Sequence, residues 1–166
     1  ANVPYRHPED IADLFSFKKF TTVNVADYSA AQLKGMLAVA NDRERLYVYL
    51  GLNCGYYASD IGNIRRDEIV ATADGGHAII RKRDKTSHQN DFEAMHVLWD
   101  ETYKLLVEQT AKRNEYGLAL LNDAGHPLYR HDEHGKYNGI GHAHARLLAK
   151  AAKKGVASLA FKQLRK

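Results

Sequence analysis

The spacing of the apolar residues changes twice along this chain, and this constrains the fold more than any other feature. In the first and last thirds, apolar residues recur at the spacing of amphipathic helices. Between them, three short segments within residues 68–95 alternate apolar and polar residues, as antiparallel strands do. Helices that dominate both ends of a chain argue against a parallel α/β fold. We therefore predict an α+β domain, mostly helical, with a small three-stranded antiparallel sheet.

The same patterns give approximate bounds for each element. We predict helices at residues 29–40, 43–53, 98–113 and 138–154, a short helix from Ser59, and the start of another helix at the end of the chain. We predict strands at residues 68–72, 77–83 and 91–95, with an apolar strand-like piece at residues 118–121. Trp99 and Val107 are expected on the buried face of the fourth helix, and Tyr129 and Tyr137 in a loop.

Length and composition fit one globular domain. The 166 residues are enough to bury a core, and we assign residues 1–20, which include Pro4 and Pro8, to a linker or arm and residues 21–166 to the domain. Cys54 is the only cysteine, which excludes disulfides and cysteine-rich zinc sites. No apolar run is long enough to cross a bilayer, so we predict a cytoplasmic protein without a membrane partner. The net charge of +4 permits a polyanionic partner.

A cationic run ends the second predicted strand and continues into the following loop. Arg81, Lys82 and Arg83 lie at the strand end, and Lys85 and Thr86 follow them. A two-stranded ribbon with cations and hydroxyls at its tip suits contact with DNA, because the major groove admits such a ribbon and the backbone presents phosphates. An exposed hairpin tip has a similar composition, so the run alone leaves both interpretations open.

A second cationic cluster occupies the last residues of the sequence. Lys162 and Arg165 are three residues apart, which places them on one face of a helix, and Lys166 follows. Arginine binds phosphate bidentately and lysine acts as a point charge, so the cluster is a candidate phosphate site. A solvated basic terminus is the alternative. Because no Gly, Asn or Pro closes this last element, we expect the domain to be incomplete at its C-terminus.

The histidines give weaker support for a metal site. His142 and His144 are two residues apart, so on a helix they point to different sides and do not share one ion. His131 and His134 have better spacing but no evident carboxylate shell. We predict no metal and no cofactor, and we keep a metal-dependent hydrolase that uses these histidines as a remote alternative.

Taken in order, several segments resemble the catalytic domain of the tyrosine recombinases, the phage-integrase family. Residues 28–33 resemble its opening helix, and residues 52–64 are similar to the box written T-G-L-R-x-x-E-L-x-x-L. Lys85-Thr86 stands at the position of the hairpin lysine. Residues 118–127 and 159–166 resemble a later strand and turn and the H-x-L-R-H box. The Asn-Cys-Gly and Ser-Asp-Ile sequences of the first box are similar to a divergent branch of this family.

The resemblance implies a domain that binds duplex DNA in integration or site-specific recombination. In this family a tyrosine cleaves a strand through a 3′-phosphotyrosyl bond, and the full-length protein forms a homo-oligomer on the DNA. The resemblance implies that Arg165 stabilises the phosphate in the transition state, that Lys85 protonates the leaving 5′-oxygen, and that Lys162 takes the place of the first histidine of the second box. The DNA-binding positions that we predict are Arg81, Lys82, Arg83, Thr86 and Lys166.

The sequence departs from the family at positions that carry the chemistry. Tyr57 stands where the first box has an arginine, and a neutral phenol does not replace a bidentate guanidinium. Lys166 replaces the last histidine of the second box, and no tyrosine of this sequence matches the motif of the nucleophile. We therefore predict that this chain binds DNA without cleaving it. The alternative is a non-catalytic DNA-binding or regulatory module on the same fold.

Overall fold

Helices flank a three-stranded antiparallel sheet in the computed structural model, which describes residues 27–82, 93–133, 135–157 and 159–165, although not the side chains of Lys82 and Arg165. The α+β class is as predicted. The helices are α1 (Ala30–Leu37), α2 (Asp42–Cys54), α3 (Ala58–Gly62), α4 (Asp100–Gln109) and α5 (Gly139–Ala152), with 3-10 helices at Arg66–Glu68 and Phe161–Arg165. The strands are β1 (Ile69–Ala71), β2 (His77–Lys82), β3 (Glu93–Val97), β4 (Tyr129–Asp132) and β5 (Gly135–Asn138). The predicted linker, residues 1–20, lies outside the described residues.

The first two helices begin at side chains that satisfy free backbone groups. The Ser29 hydroxyl accepts a hydrogen bond from the Gln32 backbone at 3.2 Å, and the Gln32 side chain accepts one from the Ser29 backbone at 2.8 Å. Asn41 and Glu44 form the same reciprocal arrangement at α2. Such boxes fix where a helix starts. The predicted starts of these two helices are therefore correct to within one residue.

β2 is the central strand of the sheet, and its pairing determines the face on which Arg81 lies. Ile79 of β2 pairs with Ile69 of β1 and with His96 of β3. Because side chains alternate across a strand, Arg81 lies on the same face as Ile79, which is fully buried. The third strand occupies residues 93–97, two residues later than predicted.

Two groups of buried side chains form the core, and α2 contributes to both. One group lies between α2, the sheet and α4, and includes Leu46, Leu50, Ile79 and Leu106. The other joins α1, α2, α5 and the last 3-10 helix around Met36, Val48, Leu147 and Leu164. The buried stripe predicted for the last long helix is confirmed, since the following residues are all buried: Ile140, Ala143, His144, Leu147 and Ala151.

The prediction for the buried face of α4 was wrong at two positions. The helix begins at Asp100, so Trp99 is its N-cap residue with an extended backbone, and its side chain is 48% exposed. Val107 is also exposed, whereas Leu105 and Leu106 are buried. Trp99 therefore lies outside the helix, and the buried stripe runs through Thr102, Leu105 and Leu106, with Val107 beyond its edge. Trp99 instead contacts Tyr49 edge to face, with ring centroids 6.5 Å apart.

The segment from Tyr129 to Asn138 is an antiparallel hairpin and not the predicted loop. β4 and β5 pair from Tyr129–Asn138 to Asp132–Gly135. Two cation–π contacts cross the hairpin, from Arg130 to Tyr137 at 5.4 Å and from Lys136 to Tyr129 at 5.6 Å. Such cross-strand pairs stabilise a polar strand pair that lacks an apolar alternation.

The strand-like piece at residues 118–121 is not a regular strand. It forms isolated bridges, Arg65 with Leu118 and Leu121 with Pro127.

Among the described helices, none combines the length and the apolar character that a membrane span requires.

Candidate nucleic-acid interface

Arg81 holds the end of β2 against the segment that resembles the first recombinase box. Its side chain is only 7% exposed. Arg81 Nη1 donates to the Asp60 carbonyl at 2.6 Å, and its Nε lies 3.8 Å from Glu68 Oε1. The guanidinium also lies 5.7 Å from the centre of the Tyr56 ring. We predicted that Arg81 contacts DNA, but the contacts that the structure shows for it are internal to the domain.

Tyr57 lies on the surface at the start of α3. It is the N-cap residue of this helix, and its backbone amide donates to Asp60 Oδ2 at 2.8 Å. The Tyr57 side chain is 41% exposed. The position that the resemblance assigns to an arginine therefore presents a partly exposed phenol.

Tyr56 lies beneath this surface. Its side chain is buried, with the His96 ring edge-on at 4.8 Å, and its hydroxyl has no hydrogen-bond partner among the described residues. Burial raises the pKa of Tyr56 far above its usual value, with a smaller contribution from the nearby Cys54 thiol. A phenol held this strongly in its neutral form is a poor nucleophile.

An open cleft of about 690 Å³ lies beside Arg81. Its walls include Asn63, Arg65, Asp67, Glu68 and Glu93. Burial raises the pKa of the Glu68 carboxyl, although the Arg65 amide and the Arg81 guanidinium both act in the opposite direction. The sequence analysis did not identify Arg65 or Glu68. Their only signal was a run of four charges, residues 65–68, directly before a strand.

The last 3-10 helix, which carries the second cationic cluster, packs against α2. Leu164 is buried, and its Cδ1 lies 3.2 Å from the position of a Cβ on Gly51. Lys162 is exposed on this helix, and Arg165 is its last residue. A Cβ at Gly51 would crowd the Leu164 side chain by a few tenths of an ångström, so the close packing of this helix on α2 depends on a glycine.

A second set of contacts fixes the segment before this helix. Tyr28 donates its hydroxyl hydrogen to the Leu159 carbonyl at 2.5 Å, and His144 Nε2 lies 3.2 Å from the same oxygen. The His144 ring also contacts Phe161 edge to face. Burial lowers the pKa of His144, so its neutral form is favoured in the fold. Three elements distant in sequence thereby meet at one carbonyl.

Several predicted positions lie outside what the structure describes. They are Arg83, Lys85, Thr86 and Lys166, together with the side chains of Lys82 and Arg165. Their predicted roles stay predictions. The backbone of Lys82 ends β2 and pairs with Glu93, so the chain enters the hairpin loop beside the cleft.

The histidine pair separates as predicted. His144 is buried on one side of α5, and His142 is exposed on the other, where it contacts Tyr137 edge to face. Within the described residues, no three His, Cys, Asp or Glu side chains come together in a way that could hold a metal ion.

We compared the chain with known proteins through a scan of family models and a search of curated sequences, and neither returned a match.

Proposed function

We propose that this chain is a duplex-DNA-binding domain with the organisation of a tyrosine recombinase catalytic domain, which acts in DNA integration or site-specific recombination. The proposal rests on the order of the motifs in the sequence and on the contact between two of them. Assembly of a homo-oligomer on DNA and strand cleavage through a 3′-phosphotyrosyl bond are proposed only for the full-length protein that the resemblance implies.

The observation that carries the proposal is the hydrogen bond of 2.6 Å from Arg81 to the Asp60 carbonyl. It attaches the strand that leads to Lys85 directly to the segment that resembles the first box. The last 3-10 helix packs on α2, the helix that runs into that same segment. Phosphoryl transfer depends on cations that are held in fixed positions around the phosphate. The described parts of the two segments, Arg81 and the last 3-10 helix, contact α3 and α2, and these contacts support the proposal.

In the proposed site, Lys85 protonates the leaving oxygen, and Arg165 and Lys162 bind the phosphate. Lys82, Arg83, Thr86 and Lys166 contact the DNA backbone. We assign no tyrosine of this sequence as the nucleophile, so the activity proposed for the chain itself is DNA binding.

A non-catalytic DNA-binding module is the second candidate, and Tyr57 favours it. Loss of one fixed donor from a transition-state site typically costs about 3 kcal/mol, and the exposed phenol of Tyr57 does not supply a guanidinium. A DNA substrate that traps cleaved ends distinguishes the candidates. A covalent protein–DNA adduct would exclude the non-catalytic candidate, whereas binding without an adduct supports it for this chain.

Binding itself is tested with a labelled duplex and fluorescence anisotropy at low salt. We expect simultaneous replacement of Lys82, Lys85 and Arg165 by alanine to weaken binding at least about tenfold, because each removes a cation from the phosphate contacts. The control variant replaces Lys34, Lys104 and Lys153, which are exposed elsewhere on the domain, and removes the same charge. Equal affinity of the two variants would contradict the proposed interface.

A further inference from the structure

A second cleft, of about 500 Å³, lies between the first 3-10 helix and the loop that follows α4. Three arginines and one tyrosine line it: Arg65 and Arg66 on one wall, and Arg113 and Tyr116 on the other. Asp67 and Glu115 also line the cleft. It adjoins the cleft beside Arg81, since Arg65 and Asp67 border both.

Hydrogen bonds make the walls of this cleft rigid. The Asn114 amide nitrogen donates to the carbonyls of Lys112 and Leu118, and its oxygen accepts from the backbone of Tyr116. The Arg66 backbone donates to the Gly117 carbonyl at 3.1 Å, and its guanidinium donates to the Ala111 carbonyl. A loop whose backbone is held in place before binding loses less entropy when a ligand arrives.

Cationic groups predominate at this surface. Arg113 and the neighbouring Lys112 are exposed, and neither forms an ion pair within the part of the chain that the structure describes. Arg65 forms an ion pair with Asp67 at 3.3 Å, but both side chains are more than half exposed. Water weakens such a pair, so the positive charge of Arg65 can still interact with a ligand. Arg130 of β4 is close enough to Tyr116 to interact with it electrostatically.

Tyr116 adds an aromatic surface to these cations. Its side chain is 38% exposed. A hydrogen bond with Glu115 raises the pKa of the Tyr116 hydroxyl, which keeps the phenol neutral. A neutral ring beside guanidinium groups is the combination that binds single-stranded nucleic acid, where the base stacks on the ring and the cations hold the backbone.

We propose that this cleft binds one unpaired nucleotide of a DNA strand, with its phosphate near Arg65, Arg66 and Arg113 and its base against Tyr116. The proposal rests on the proposed DNA-binding function and adds to it a site for the strand that leaves the duplex. Inside a duplex each base stacks on its neighbours and does not expose the face that Tyr116 would contact, so the cleft distinguishes open from closed DNA.

The experiment compares a blunt duplex with the same duplex that carries a short oligothymidine tail. We expect the wild-type protein to bind the tailed duplex about fivefold to tenfold more tightly, since one base stacked on an aromatic side chain contributes on this scale. Tyr116→Ala should abolish this preference and leave the affinity for the blunt duplex unchanged. Tyr116→Phe keeps the ring and should retain the preference. Arg113→Ala should weaken binding of the tailed duplex more than that of the blunt duplex.

Each outcome either supports or contradicts the proposed nucleotide site. Equal affinity of the wild-type protein for both duplexes, or an unchanged preference in Tyr116→Ala, would contradict the proposed nucleotide site in the cleft. The proposed binding of duplex DNA would not be affected by either result. Failure to bind either duplex at low salt would overturn the proposed function and this inference with it. Circular dichroism identifies any variant that is unfolded, and Arg113→Glu, at an exposed position, then supplies an independent test through charge reversal.

Discussion

Two arginines border the same cleft, each beside a carboxylate, and their surroundings are opposite. Arg65 lies 3.3 Å from Asp67, and the two side chains are 56% and 74% exposed. Arg81 lies 3.8 Å from Glu68, and these side chains are 7% and 17% exposed. The shorter pair is the solvated one. Water screens it, so it contributes at most about 1 kcal/mol to stability.

The buried pair has a different role because burial changes the energy of an unpaired charge. Arg81 also donates to the Asp60 carbonyl, so the arginine combines one hydrogen bond with an ion pair to Glu68. Removing one member of a buried ion pair leaves the other charge buried and unpaired, and this destabilises the folded state. We infer that Arg81 holds the fold, whereas Arg65 is available to a ligand. The distance between charged atoms alone does not reveal this difference.

The largest expected effect is on stability. Arg81→Met should lower the free energy of unfolding by about 3 kcal/mol, because Glu68 and the Asp60 carbonyl lose their buried partner. Arg65→Met, the matched control, should change it by less than about 0.5 kcal/mol. Urea unfolding followed by circular dichroism measures both. Equal losses in the two variants would show that the buried and exposed pairs do not differ as we infer.

A smaller effect separates charge from shape at Arg81. Arg81→Lys keeps the positive charge but loses the planar fork that reaches Asp60 and Glu68 together. We expect a loss of about 1–2 kcal/mol in the same urea experiment, between the wild type and Arg81→Met. A lysine variant as stable as the wild type would mean that charge alone accounts for the role of Arg81.

The smallest effect is in the pH dependence of stability. Burial raises the pKa of Glu68, so the folded protein holds this proton more tightly than the unfolded chain does. The contribution of Glu68 to the free energy of unfolding is therefore present below the usual glutamate pKa, and it is lost as the pH rises through the pKa of Glu68 in the folded protein.

Glu68→Gln removes this titration. Relative to the wild type, the variant should gain stability as the pH rises from about 4 to about 7. Urea unfolding at both pH values measures the change, and Asp67→Asn controls for the loss of one carboxylate at an exposed position. A Glu68→Gln difference that stays constant with pH would contradict the raised pKa.

The fold was predictable where one local signal determined it. The capping residue Ser29 gave the start of α1, and helical spacing gave the start of α2 to within one residue and the buried stripe of α5. The signal was weak in the hairpin at residues 129–138, whose strands are polar and are joined by cation–π contacts that only the folded pairing creates. Trp99 was misplaced because its helix begins at Asp100, which leaves the tryptophan outside the helix as the N-cap residue.

The candidate site was less predictable than the fold. Arg81 belongs to a cationic run in the sequence, and the sheet register places it on the same face as the buried Ile79. Arg65 and Arg113 are 48 positions apart in the printed sequence, and the backbone contacts of the loop at residues 111–119 bring them to one cleft. Neither fact follows from composition or spacing, because both depend on strand pairing and on contacts distant in sequence.

The salt dependence of duplex binding tests the proposed function most directly. The dissociation constant of the wild-type protein is measured with one labelled duplex at several salt concentrations. If cations contact the DNA backbone, counterions are released on binding, and the affinity should fall at least about a hundredfold between about 50 and 200 mM salt. An affinity that does not change with salt, or no binding at the lowest concentration, would contradict DNA binding by this domain.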